Sequence, residues 1–232
     1  MGGWMLYGAN GYTAKLILDL ALKAGHRPVL AGRNSEAINA LAKQHSLPAR
    51  IFDLDHPDTL ASALNGIEAV LHCAGPFSAT SAPMLEGCLQ AGAHYLDITG
   101  EIGVFKHCHE QHERAKEKGI VVIPGTGFDV VPTDSMAALL KQELPEADEL
   151  VLAFDAGGGP SLGTAKTAVE GLAAGGKIRR EGELVSVPLA YKTREFEFNG
   201  ERRFAMTIPW GDVYTAYVST GIRNIDVYMA VP

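Results

Sequence analysis

The stretch "YGANGYTA", residues 7–14, spaces Gly8, Gly11 and Ala14 three residues apart, directly after the apolar run "WMLY" and at the head of the helix-periodic "TAKLILDLALKAG". A turn between a first strand and a first helix can grip a phosphate. Glycines let the backbone fold tightly and approach the ligand, and the helix N-terminus offers unpaired N–H groups and a positive dipole end. Gly8 and Gly11 stand where those tasks fall, and Ala14 is small enough for close helix–strand packing. Asn10, Tyr12 and Thr13 fill the rest of the turn and join the expected contact set. Taken alone, the same spacing also fits an ordinary strand–helix turn.

Its surroundings weigh for the ligand-binding reading. Strand-like and helix-like runs alternate onward: "RPVLAGR", "SEAINALAKQHS", "ARIFDLD", "PDTLASALNG", "EAVLHCAGPF", "APMLEGCLQAG", "HYLDITGE", "VFKHCHEQHERAKEKG", "IVVIPGTGFD" and "TDSMAALLKQEL". Six strands alternating with helices predict an α/β fold, a Rossmann-type doubly wound parallel sheet spanning 1–147. After Pro145 the texture changes. "ELVLAFDA", "ELVSVPL", "TREFEFNGERRFAMTI", "VYTAYVST" and "IDVYMAV" read as strands, with Asn199-Gly200 as a hairpin turn and "TAKTAVEGLAAG" as a helix. Residues 148–232 are therefore expected to form a smaller α+β domain with a largely antiparallel sheet, for substrate binding or dimerisation.

Nucleotide choice is read at the end of the second strand. An acid there would bind a ribose 2′-OH, but "VLAGRNS" places Arg33 instead, followed by Asn34 and Ser35, which are expected to help hold a phosphate. A guanidinium fork pairs with a 2′-phosphate, so the expected cofactor is NADP(H). GxxGxxA, rather than GxGxxG, is also frequent in extended NADP-binding folds. A plain surface arginine is the competing reading.

Bulk composition bounds the rest. The chain has 232 residues, is 47% hydrophobic and 20% charged, and carries a formal charge of −7, as a soluble globular protein does. Without a Lys/Arg block, no nucleic-acid partner is expected, and without a long apolar run, no membrane partner. Cys73, Cys88 and Cys108 are few, odd in number and without a CxxC pair, which points to a reducing, cytoplasmic setting. His107, Cys108, His109 and His112 crowd one charged stretch, yet their spacing is not HExxH and no second cluster follows, so no metal site is expected.

"YGANGYTA" together with "LAGRN" resembles the N-terminal domain of saccharopine dehydrogenase-like oxidoreductases. The resemblance tightens at "HCAGPFSATSAPMLEGCLQAGAHYLDITGE", residues 72–101, and continues in "GTGFDVVPTD" and "STGIRNIDVY". It implies an NADP-type Rossmann domain, a second α+β domain, and hydride transfer to or from a small organic substrate, at a C=N or activated C=C bond, in a cleft between them. Ala74, Gly75, Pro76 and Phe77 would line the nicotinamide side. Proton-handling candidates are Tyr95, Asp97, Glu101, Asp129 and Lys166, of which Tyr95, Glu101 and Lys166 are the chosen catalytic set. Lys166 follows "DAGGGPSLGT", which reads either as an anion-binding loop or as a connector. Saccharopine dehydrogenation itself needs carboxylate-binding arginines. Arg179, Arg180, Arg202 and Arg203 read as solvated, on a linker and a hairpin. The alternative function is a non-catalytic NADP(H) sensor or scaffold. Relatives continue well past "YMAVP", so a truncated or excised chain is expected, with an apolar edge or oligomer interface near residues 214–231 and a homo-oligomeric state.

Overall fold

In a computed structural model, which describes residues 3–156 and 175–231, the apolar runs and their intervening helices appear in the expected order. The first sheet is built by β1 (Gly3–Tyr7), β2 (Val29–Gly32), β3 (Ala49–Ile51), β4 (Ile67–His72), β5 (His94–Asp97) and β6 (Val122–Ile123). Between them run α1 (Tyr12–Lys23), α2 (Ser35–His45), α3 (Pro57–Ala63), α4 (Phe77–Ala91), α5 (Ile102–Glu110) and α6 (His112–Lys118). Every pairing is parallel and the strand order is β3-β2-β1-β4-β5-β6. This is the doubly wound Rossmann order, in which strand sequence reverses between β1 and β4 and leaves a crevice at the strands' carboxyl ends. Leu6, Leu30, Leu18, Ile38 and Ala14 pack one side of the sheet with almost no exposure.

The second sheet contains β7 (Glu149–Phe154), β8 (Gly176–Arg180), β9 (Glu183–Val187), β10 (Thr193–Phe198), β11 (Glu201–Thr207) and β12 (Asn224–Ala230). Its pairings are antiparallel except for β7 on β12. Asn199 and Gly200 both take positive φ, 52° and 84°, as a two-residue hairpin turn requires. The helices α7 (Val131–Glu143) and α8 (Asp212–Thr220) supply Ala137, Val213 and Ala216 to a core with Leu150, Leu152, Ile225 and Val227.

Contacts divide the chain into two units: Met1–Thr99 with Lys106–Gly127, and Gly100–Phe105 with Phe128–Pro232. Thus α7, which follows the last parallel strand in sequence, packs with the second sheet.

Four local expectations change. "VYTAYVST" is helical, because Val213 and Ala216 are fully buried at helical spacing and outweigh its β-branched and aromatic composition. That helix starts where Gly211 leaves no room for a side chain: a Cβ there would lie 2.6 Å from Val130 and 2.7 Å from Phe105. The long charged helix is two helices, parted where Gln111 N–H bonds Cys108 O, three residues back, at 3.1 Å. Arg179 and Arg180 are not a solvated linker but strand residues. Arg179 is 4% exposed, donates from Nε to Val213 O and stacks 4.1 Å from the Tyr217 ring centroid. Arg180 grips the buried Asp226 carboxylate with both oxygens at 2.6 Å. Arg202 and Arg203 are exposed on the hairpin as expected. Finally, β12 is no exposed edge: β7 and β11 pair with it, and Ile225 and Val227 are fully buried. No helix among the described residues is long and apolar enough to cross a membrane.

Candidate nucleotide site

β1 delivers its chain into the turn through Gly8, whose φ of 78° is the left-handed region that a side chain resists. The space is closed as well: a Cβ at Gly8 would stand 2.9 Å from both the Ala74 nitrogen and Cβ. Gly8 and Ala9 N–H groups both bond Ala31 O on β2, and Gly11 N–H closes the turn on Gly8 O at 2.9 Å. Gly11 then caps α1 with extended backbone and no side-chain hydrogen bond, and no acid occupies the first turn. Every helix leaves its first N–H groups without intrahelical acceptors. Here no side chain of the cap answers them, which leaves them available to an anion. Ala14 is fully buried, whereas Asn10, Tyr12 and Thr13 are exposed around the turn.

Beyond the buried Gly32, Arg33 is exposed at the carboxyl end of β2. Asn10 reaches toward the same strand end, its Oδ1 3.8 Å from where a Gly32 Cβ would be. Asn34 has a structural task, since its side chain accepts from Ala37 N–H and caps α2. Beneath Arg33, the Tyr7 hydroxyl donates to Phe52 O. Burial first and the Asp53 carboxylate second push this phenol up to about 12, while the Arg33 charge works against them. Arg33, Asp53 and Asp55 therefore share one neighbourhood at the ends of β1, β2 and β3.

After β4 the chain runs through Cys73, Ala74 and a cis Gly75–Pro76 bond into α4, with Phe77 buried at its start. His72 is fully buried against the rings of Tyr7, Phe77 and Tyr95, and burial lowers its imidazole to about 3. Cys73 is likewise held as the thiol, raised to about 12 by burial first and then by the nearby Asp97 charge.

Of the three chosen catalytic residues, Tyr95 has no exposed surface and its hydroxyl donates to Asp97 Oδ2 at 2.6 Å. Burial and that carboxylate raise it well above the ordinary phenol value. Asp97 also accepts Thr99 N–H at 3.0 Å and Gly125 N–H at 2.7 Å, and Thr126 bonds its carbonyl. The pair ties the ends of β5 and β6 together. Glu101 belongs to the second unit, where its carbonyl accepts Val104 and Phe105 N–H at the start of α5. Lys166 and the glycine-rich stretch before it, from Gly157, lie outside the described residues.

Sequence reading missed the most perturbed acid of the second unit. Asp212 is fully buried at the start of α8, accepts from Thr133 Oγ1 at 2.6 Å, and is raised to about 7, by burial first and then by Asp134 and Asp129. Burial raises Asp129 too. The clue available was an acid at the first position of a helix, hidden while "VYTAYVST" read as a strand.

Comparison with known proteins agrees with this geometry. A plant protein from Arabidopsis thaliana, "Probable mitochondrial saccharopine dehydrogenase-like oxidoreductase", is 29% identical over 147 residues, covering 56% of this chain and 32% of that protein. A "Trans-acting enoyl reductase" of Mycobacterium leprae is 32% identical over 138 residues, covering 56% of this chain and 33% of that protein. The matched part is thus 32% and 33% of these relatives' own length. The fold of yeast saccharopine dehydrogenase (L-Glu forming), from Saccharomyces cerevisiae, superposes with a TM-score of 0.71 at 15% identity, over 99% of this chain and 55% of that enzyme. Residues 4–123, which hold the phosphate turn, Arg33 and the loop after β4, match the saccharopine dehydrogenase NADP binding domain. The chain belongs to that family.

Proposed function

We propose that this chain binds NADP(H) at the carboxyl ends of β1, β2 and β4 and forms part of an oxidoreductase. The observation that carries the reading is the joint placement of an uncapped α1 N-terminus behind Gly8 and an exposed Arg33 one strand away. The cradle fits a dinucleotide: Gly8 and Gly11 present backbone where side chains would obstruct. The α1 N-terminus would take the pyrophosphate, Arg33 with Asn10 nearby the 2′-phosphate, and the Ala74–Phe77 loop the nicotinamide half.

When bound, the nicotinamide supplies the hydride chemistry. This chain's residues bind and orient it. The substrate class we favour is a small organic molecule with an activated C=C or a C=N bond. The relatives' names as enoyl reductases and saccharopine dehydrogenase-like oxidoreductases support that choice. Free Cys73, Cys88 and Cys108 suit a reducing, cytoplasmic compartment.

One observation favours a second reading, an NADP(H) sensor. In the first unit the Tyr95 phenol is bonded to Asp97, and burial disfavours the charged forms of the His72 imidazole and the Cys73 thiol. Titration with NADPH and NADH, followed by turnover on imine, enoyl and carbonyl substrates, separates the two. Turnover supports the enzyme, tight NADPH binding without turnover supports the sensor, and binding of neither nucleotide refutes both.

A further inference from the structure

His72 and Thr80 form a relay that no nucleotide-contact reading uses. His72 Nε2 lies 3.0 Å from Thr80 Oγ1, and Thr80 Oγ1 lies 2.6 Å from Ala74 O and 3.0 Å from Pro76 O. A hydroxyl has one proton. The carbonyls can only accept, so Thr80 donates to them, with Ala74 O the nearer, and must accept from His72. That assigns the neutral imidazole its proton on Nε2. His72 Nδ1 is then a bare acceptor, and it is the buried ring atom without a partner.

The relay ends on a consequential atom. Ala74 is the residue against which Gly8 is pressed, 2.9 Å from a would-be Cβ. Its position is therefore set from two sides, by the phosphate turn and by the Thr80 hydroxyl. The order β3-β2-β1-β4-β5-β6 puts this loop across the reversal point from Arg33. It thus serves the half of a dinucleotide that the β2 side does not.

We infer that Thr80 is a positioning residue: its hydroxyl, oriented by His72, fixes the Cys73–Phe77 loop in the register that accepts the nicotinamide half of the cofactor. This rests on the NADP(H) reading. The adenosine half, held at Arg33, is independent of it. Losing the hydroxyl takes a partner from the Ala74 carbonyl and from His72 Nε2–H and loosens the loop, while the turn before α1 keeps its own bonds, Gly8 and Ala9 N–H to Ala31 O and Gly11 N–H to Gly8 O.

The test compares two probes on the whole chain: NADPH, and 2′,5′-ADP, which lacks the nicotinamide half. Thr80→Val is expected to weaken NADPH about fivefold, the worth of one neutral hydrogen bond. It should leave 2′,5′-ADP unchanged, and Thr80→Ser should restore NADPH. Unchanged NADPH affinity, equal weakening of both probes, or no rescue by serine overturns the inference. Hydrogen exchange on the unsubstituted chain tests it without a variant. NADPH should protect amides at residues 77–81 and 2′,5′-ADP should not, and equal protection overturns the inference. Failure of the underlying reading looks different, because the unsubstituted chain would then bind neither probe.

Discussion

Gly8 and Ala74 approach so closely that a single added carbon on Gly8 would stand 2.9 Å from the Ala74 Cβ. The turn before α1 and the loop after β4 thus touch at this one point, and the positive φ of Gly8 is part of that contact. Gly8→Ala should lose about 2 kcal/mol of stability from backbone strain and overlap. NADPH binding should fall more than tenfold, in line with a displaced phosphate turn. Urea unfolding and a nucleotide titration check the two effects.

Tyr95→Phe deletes a donor from a buried carboxylate and leaves Asp97 Oδ2 without its 2.6 Å partner. Losing one hydrogen bond to a charged group costs about 1.5–3 kcal/mol. The expected outcome is a clear drop in denaturation midpoint, with NADPH affinity within about twofold of the unsubstituted chain, because the substitution leaves Arg33 and the α1 N-terminus unaltered. A collapse of turnover at unchanged stability would instead support Tyr95 as the proton donor.

Asp212 introduces a pH dependence of known sign. Its folded value, about 7, lies above the ordinary carboxylate value, so folding favours the protonated form. That contribution is fully present below about pH 4 and is lost as pH rises through 7. Asp134 and Asp129 face it with like charge, and Thr133 with a hydroxyl. Asp212→Asn should flatten the decline in stability between pH 5 and 8. At pH 8 the variant should be the more stable by on the order of 3 kcal/mol, reduced by any loss of the Thr133 bond. Unfolding curves at three pH values decide it. An unchanged slope would remove Asp212 as its source.

Much of the first sheet was legible because strand, glycine turn and helix recur in fixed order. That order alone predicts parallel pairing, and Asn199-Gly200 announces its hairpin by backbone preference. What was not legible depends on partners distant in sequence. Arg180 looks like any surface arginine until Asp226, 46 positions on, is brought beside it. Tyr95 reads as a free phenol until its alternation with Asp97 turns both side chains into the same buried layer, where they bond each other. The strand reading of "VYTAYVST" failed because its composition favours strands, while burial of Val213 and Ala216 in the core selected the helix. The turn after β1 was visible because close backbone approach there requires glycine, at Gly8 and Gly11. The supporting layer of His72, Thr80 and Asp97 was not, because hydrogen-bond networks leave no spacing signature.

The central claim is that Arg33 reads a 2′-phosphate. NADPH and NADH affinities of the unsubstituted chain and of Arg33→Ala, measured side by side at one ionic strength, test it directly. Loss of a charge-assisted contact to phosphate should weaken NADPH about 10- to 100-fold. NADH should change less than about twofold, since it presents no group there. Equal affinity for the two nucleotides before substitution, or equal weakening of both after it, would contradict the account.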